Sequence, residues 1–192
     1  KDMQITGRTP NGAFSFITNA GKARIRGIEG EATLRPAAGL SIIANASYID
    51  AKLRENQSNA NVSAPGLKGD RIPYVPKFSG GLAAEYVWPL GPSLSGFARI
   101  DGTAVGSSLS DFRPSDGVPR GAFTRRIDSY ELVNLRLGVE APDSRWGAYL
   151  FVTNLFDDVA ITRATASALT IGRTLVNSAT PRTIGMNVRT RF

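Results

Sequence analysis

The chain has 192 residues, 23 Lys and Arg against 16 Asp and Glu, a net charge of +7, and neither Cys nor His. Without those two residue types there is no disulfide scaffold, no thiolate or imidazole metal site, no cysteine nucleophile and no triad built on a local histidine. The basic balance admits nucleic acid, anionic lipid or an acidic ligand as partner, but no basic helix, zinc-finger spacing or RNA-reading sheet motif supports nucleic acid.

No stretch approaches the roughly 20 apolar residues of a membrane-spanning helix. Mean hydropathy is -0.12, a value shared by soluble proteins and by membrane barrels, whose strands are only half apolar. The decision therefore falls to the patterning. Lys1 to Thr6 reads as the end of a strand already under way, and Gly7 to Gly21 as a loop carrying a short β-rich piece, Ala13 to Thr18. The chain opens at Lys1 with no leader, which suits a processed chain or a piece of a longer one.

From Lys22 to Arg35 a strand is predicted, with Ile28, Gly30, Ala32 and Leu34 on one face and Glu29, Glu31, Thr33 and Arg35 on the other. Pro36-Ala37-Ala38-Gly39 is a tight turn. Leu40 to about Ala51 follows, with Leu40, Ile42, Ala44, Ala46 and Tyr48 outward, and then a long polar loop, Lys52 to Pro73. Tyr74 to Trp88 returns as a strand, Pro89-Leu90-Gly91-Pro92 turns it, and Ser93 to Gly106 rises again before a second long loop, Ser107 to Asp128. Ser129 to Ala141 groups Val133, Leu135, Leu137 and Val139 against Asn134, Arg136, Gly138 and Glu140. After the turn Pro142-Asp143-Ser144-Arg145, the strand Trp146 to Asn154 is apolar on both faces; Ala148, Leu150 and Val152 are favoured as outward. A third long loop, Leu155 to Thr180, leads into the terminal strand. There Ile184, Met186, Val188, Thr190 and Phe192 alternate with Thr183, Gly185, Asn187, Arg189 and Arg191.

Short and long connections alternate, as they do in outer-membrane barrels with short periplasmic turns and long extracellular loops. At about 3.3 Å per residue and a tilt near 45°, a strand of roughly 12 residues rises about 28 Å, enough for an apolar band of about 25 Å. Trp88 beside a short turn and Tyr48 beside a long loop suit two aromatic girdles. The expected fold is all-β, an antiparallel up-and-down transmembrane β-barrel segment of about seven full strands plus a stub.

Several motifs carry a resemblance. Asn19-Ala20-Gly21 leading to Gly27-Ile28-Glu29, Ile72-Pro73-Tyr74-Val75-Pro76, Phe151-Val152-Thr153-Asn154-Leu155-Phe156-Asp157, and Pro181-Arg182-Thr183 running to Phe192 resemble, in order, motifs late in the barrel of TonB-dependent outer-membrane receptors. The resemblance implies residues 1–192 as the C-terminal portion of a barrel of about 22 strands, with a plug domain and TonB box lying elsewhere. It implies a ligand-gated, TonB-coupled transporter that imports an iron-siderophore complex or similar scarce nutrient across the bacterial outer membrane. Its partners would be lipid and lipopolysaccharide, TonB through the plug, the barrel-assembly machinery and a small iron chelate. No cofactor and no enzymatic role are expected. The alternatives are a complete small outer-membrane barrel with a structural or passive-pore role, and a soluble carbohydrate-binding β-sandwich.

Candidate site residues follow from local chemistry. Glu29 and Glu31, two apart on one face, have the spacing of an acid and base pair, but inward charge recurs on nearly every strand, so they read as lumenal carboxylates. Asp157-Asp158 lacks the alternating oxygen ligands of a calcium loop and reads as a turn cap; Gly66-Leu67-Lys68-Gly69 lacks a phosphate loop's spacing. Arg24 and Arg26 share parity with Ile28 near a long loop, where guanidinium groups could bind lipopolysaccharide phosphates. Arg113, Arg120, Arg125 and Arg126 with Phe112 and Phe123 could hold an anionic or catecholate chelate by charge and stacking. Met186, Val188, Thr190 and Phe192 form the expected barrel-insertion signal, as the resemblance implies.

Overall fold

The computed structural model describes residues 2–8, 14–57, 66–112, 126–141, 145–166 and 173–191. Among them no helix occurs, and the strands in order are β1 (Asp2–Arg8), β2 (Ser15–Ala37), β3 (Leu40–Leu53), β4 (Phe78–Gly91), β5 (Leu94–Val105), β6 (Ser108–Leu109), β7 (Arg126–Ile127), β8 (Tyr130–Glu140), β9 (Trp146–Thr153), β10 (Ile161–Ala166), β11 (Thr174–Ser178) and β12 (Thr183–Thr190). Eight of them make one antiparallel sheet in the order β1-β2-β3-β4-β5-β8-β9-β12. Every neighbour in that meander is also next in sequence apart from the loop ladders β6-β7 and β10-β11, so the expected up-and-down topology holds. The sheet is open, with β1 and β12 at its two edges.

Register carries one side-chain parity across the whole sheet. Ile28 stands opposite Tyr48, Tyr48 opposite Phe78, Leu82 opposite Gly102, Ile100 opposite Leu135, Leu137 opposite Leu150, and Leu150 opposite Met186. Because direction alternates every residue, these pairs form one continuous apolar face. That face is uncovered: Ile28 is 81%, Leu82 59%, Leu150 63% and Ile184 74% exposed. A sandwich would pack a second sheet there; among the described residues none does. The ordering fits a solvent of lipid.

Strand length agrees. The 14 residues of β4, at about 3.3 Å each and tilted near 45°, rise roughly 33 Å. With 23 residues, β2 climbs roughly 54 Å on the same geometry and so stands well clear of an apolar band of about 25 Å. Its first part, predicted as loop with a separate β-rich piece, is continuous with the strand and pairs with β1, Gly7 facing Phe16 and Asp2 facing Lys22. At the other end of the sheet's strands the connections are tight. Gly39, at φ 77°, accepts from the Val87 amide (2.9 Å), and a Cβ there would lie 2.0 Å from the Val87 carbonyl oxygen, so only glycine fits.

Aromatics mark both rims of the outward face. Tyr86 and Trp88 stack with centroids 5.4 Å apart beside the β4-β5 turn, and Trp146 shares their parity at the start of β9. Tyr48 and Phe78 mark the long-loop end. Trp88 lies flat over Gly96 directly across from it, where a Cβ would sit 2.3 Å from the indole. A ring covering a cross-strand glycine restores the packing surface that the glycine lacks.

The only buried apolar cluster among the described residues lies above the long-loop rim: Ala51, Leu53, Ile72 and Phe112, with Ala23, Ile49 and Val75 against it. It joins the end of β3 to the two loops that were predicted as irregular. The strand predicted from Tyr74 begins instead at Phe78. Pro73 and Pro76 cannot donate to a ladder, and Tyr74, at φ 59°, turns its amide to the Leu109 carbonyl (2.8 Å).

Candidate functional site

The face opposite the lipid side is polar and would line a lumen. On β2, Glu29 faces Ser47 and Glu31 faces Asn45 across to β3. Neither carboxylate has an ion-pair partner among the described residues, so both remain wet lumenal charges. Next along, Ser47 and Ser79 share a hydrogen bond of 2.8 Å. Arg99 of β5 then forms the centre of a charged group: its Nη1 donates to Glu85 Oε2 (3.2 Å) and its Nε to Asp101 Oδ1 (3.2 Å). Arg136 stands directly opposite Arg99. Like charges opposite one another repel, and the two flanking carboxylates offset that repulsion.

Arg136 also lies over the Tyr149 ring, 5.5 Å from its centroid, and Phe97 meets Tyr149 edge to face at 5.6 Å. The Tyr149 hydroxyl donates to Glu140, which also pairs with Arg189 at 3.4 Å. Tyr149 and Phe151 therefore face inward, and Ala148, Leu150 and Val152 outward, as favoured from the sequence. The reason is steric. Phe151 covers Gly185, where a Cβ would lie 2.5 Å from its ring, and Tyr149 covers Gly138 and Gly147. The apolar residues of β9 that point inward each find a glycine to lie on.

The long-loop rim brings three segments together. Phe112 is 1% exposed, packed beside Leu53 and Gly66, at which a Cβ would fall 2.4 Å from Leu53 and 2.9 Å from the Phe112 ring. Arg126 is in β7, exposed, with its Nε 2.9 Å from Asp128 Oδ1. A recess lined by Asp70, Arg71, Ser107, Ser108, Leu109 and Arg126 lies beside it. Arg71 was not singled out in the sequence; it reaches the recess because its guanidinium donates to the carbonyls of Val75 and Ser107, both 3.2 Å away. Arg113, Arg120, Phe123 and Arg125 lie outside the described residues.

The loop predicted over Leu155 to Thr180 contains the hairpin β10-β11, paired from Ile161 opposite Ser178 to Ala166 opposite Thr174. Alternation was invisible there because the hairpin buries only one small side chain, Ala164. It reaches back to the rim through Tyr74, whose hydroxyl donates to the Ala164 carbonyl (2.7 Å) beneath Arg163, 5.4 Å from the ring.

On the lipid side above Tyr48, Arg24 faces Lys52 and Arg26 faces Asp50. Lys52 Nζ lies 3.0 Å from Asp50 Oδ1. Arg24 and Arg26 thus share the outward parity of Ile28, above the aromatic rim. In β12, Ile184, Met186 and Val188 face outward opposite Val152, Leu150 and Ala148, with Thr190 opposite Trp146; Phe192 lies outside the described residues.

An antiparallel meander with a lipid-facing apolar side, a charged lumenal side and long loops gathered at one rim is the wall of an outer-membrane β-barrel. The sequence matches the family "TonB dependent receptor-like, beta-barrel" over residues 1–155, and the chain belongs to that family. It is 30% identical over 151 residues to the ferrichrome outer membrane transporter/phage receptor of Escherichia coli K12, covering 77% of this chain and 18% of that protein. The ferric yersiniabactin uptake receptor FyuA of Yersinia pestis superposes with a TM-score of 0.69 at 25% identity, over 92% of this chain and 25% of the receptor. The ferric-catecholate import receptor Fiu of Escherichia coli K12, at 18% identity and a TM-score of 0.60 over 97% of this chain and 23% of that receptor, shares the fold. The chain thus spans a small part of the length of each relative. It is an outer-membrane protein of a receptor and transporter family.

Proposed function

We propose that these strands are the C-terminal part of the barrel wall of a TonB-coupled transporter that imports an iron-siderophore complex or similarly scarce nutrient. The observation that carries the reading is the sequence relation to a ferrichrome transporter, read with a charged lumenal face that would suit passage of a polar solute. In this reading a plug domain outside the chain binds TonB, ligand enters among the loops, and the wall supplies a fixed frame.

The loop group Arg113, Arg120, Phe123, Arg125 and Arg126 takes the ligand side, with Arg71 beside Arg126, because guanidinium groups hold carboxylate or catecholate oxygens in a bidentate manner. Phe112 serves the same loop from beneath, as its anchor. Arg24 and Arg26 take lipopolysaccharide phosphates at the outer leaflet, and the β12 face ending at Phe192 is read by the assembly machinery.

The test is uptake of radioactive iron by an iron-starved strain lacking the full-length gene and by the same strain complemented with it. Hydroxamate, catecholate and phenolate chelates are each supplied with and without a protonophore. Restored uptake of one class, abolished by the protonophore, is expected. Restoration that survives the protonophore would make the protein a passive pore, and equal uptake in both strains for every class would remove iron chelates as substrates.

A further inference from the structure

The Asn-Leu-Phe-Asp segment closing β9 performs a definable mechanical task. Asn154 is 3% exposed and sits in the left-handed region at φ 51°. Its Nδ2 donates to the carbonyls of Asp158 (2.9 Å) and Thr180 (3.1 Å), and its Oδ1 accepts from the Asp158 amide (3.0 Å). Asp157, at φ 57°, accepts from the Arg182 amide at 2.9 Å. Together these bonds clasp the two ends of the segment that carries the β10-β11 hairpin. The clasp is also tied inward: the Asn154 amide donates to Asn134 Oδ1 (3.0 Å), and Asn134 Nδ2 donates to Asp101 Oδ2 (2.8 Å). Asp101 Oδ1 accepts from Arg99 Nε, and Arg99 Nη1 donates to Glu85 Oε2.

We propose that this unbroken relay, Glu85–Arg99–Asp101–Asn134–Asn154, couples the lumen to the last long loop, so that an anionic group arriving at Arg99 alters how firmly the β10-β11 hairpin is held. Three observations carry it. The lumenal end lies on the inward face, with side chains of Glu85 37% and Arg99 34% exposed within this chain. A second guanidinium, Arg136, faces Arg99 and increases its pull on an incoming carboxylate or phosphate. The far end is a single buried side chain on which several loop bonds converge, so a change there reaches both ends of the loop together. An anion that draws Arg99 away leaves Asp101 held by Asn134 alone, and Asn134 swings to satisfy it at the expense of the Asn154 amide. Coupling of this kind needs a contiguous network and an element with two degrees of hold, and the hairpin, whose two ends meet at the clasp while β10 touches Tyr74 and β7, supplies the second.

The experiment does not depend on which solute is transported. Amide hydrogen exchange of β10 and β11 is measured in the full-length receptor in lipid nanodiscs, for the parent, Asn154→Gly, Arg99→Gln, Asn134→Leu and the Arg99→Gln/Asn134→Leu double variant. Glycine keeps the backbone conformation at 154 and removes only the side-chain bonds. Hairpin exchange is expected to quicken roughly fivefold in Asn154→Gly, as for loss of about one net hydrogen bond. It should quicken at least about twofold in Arg99→Gln, and Arg99→Gln should add nothing once Asn134→Leu has cut the relay. Unchanged exchange in Arg99→Gln, or equal effects of that change with and without Asn134, would reduce Asn154 to a local clasp and overturn the coupling. Should Arg99→Gln insert poorly, Asp101→Asn weakens the Arg99 pairing one link further along the relay, and the same comparison with and without Asn134 applies.

Discussion

Substituting Leu150 with Arg tests whether the apolar face meets lipid. Leu150 is 63% exposed and lies in a row with Leu137 on one side and Met186 on the other. It lies four residue steps beyond Trp146 of the lower aromatic rim; at about 3.3 Å per residue and a tilt near 45° that places it roughly 9 Å into a band of about 25 Å, close to the midplane. An Arg at that depth of a membrane barrel costs about 2–4 kcal/mol, whereas on a wet surface the same change falls within about 0.5 kcal/mol. Unfolding of the full-length receptor from phospholipid vesicles in guanidinium, followed by tryptophan fluorescence, measures the difference. A matched control is Asn187→Arg, on the lumenal face opposite Tyr149 at nearly the same height, which should cost little. Equal and negligible losses for the two variants would refute the assignment of faces, and with it the membrane reading.

Three further outcomes follow from side-chain geometry. Gly185→Val should destabilise by about 1–3 kcal/mol, because its Cβ would meet the Phe151 ring at 2.5 Å, and Phe151→Ala in the same chain should recover part of that loss in the same unfolding assay. Phe112→Ala removes the centre of the rim cluster; proteinase cleavage on intact cells should rise within residues 66–77 as well as in the loop carrying residue 112, since both segments pack on that ring, while heat-resistant gel migration of the barrel stays unchanged. Replacing Arg24 and Arg26 with Ala should leave insertion intact and raise sensitivity to detergent and large antibiotics, and unchanged sensitivity would remove the lipopolysaccharide contact.

How far the molecule could be read from its residues depended on whether a strand divides two unlike solvents. In β3, β4, β5, β8 and β12 one side meets lipid and the other water, so alternation was plain and the faces came out as expected, although β2 and β4 run on through Ala37 and Gly91 into the residues expected to turn. In β9 both sides are apolar. The signal that could have decided it lies on the flanking strands, where Gly138 and Gly185 leave room for Tyr149 and Phe151. The hairpin β10-β11 went unseen because it pairs only with itself among the described residues and buries a single small side chain, Ala164, too little to impose a period. The loop candidates Phe112 and Arg126 were visible as residue types, but the burial of the one and the exposure of the other depend on contacts between distant segments. The Asn154 clasp shows the same limit: the motif was legible, while its work depends on Asn134 and Thr180, which no local pattern connects to it.

The unbroken parity of the sheet, from Ile28 through Tyr48 and Phe78 to Met186, sets a rule for how genes of this kind can change length. One codon added inside a strand would move every later side chain of that strand to the opposite solvent, greasy residues into the channel and charges into lipid. Added in pairs, or placed beyond Tyr48 and Phe78, codons leave the assignment intact. Length variation among descendants of this sequence should therefore collect at the long-loop rim and come in even steps wherever it enters the wall.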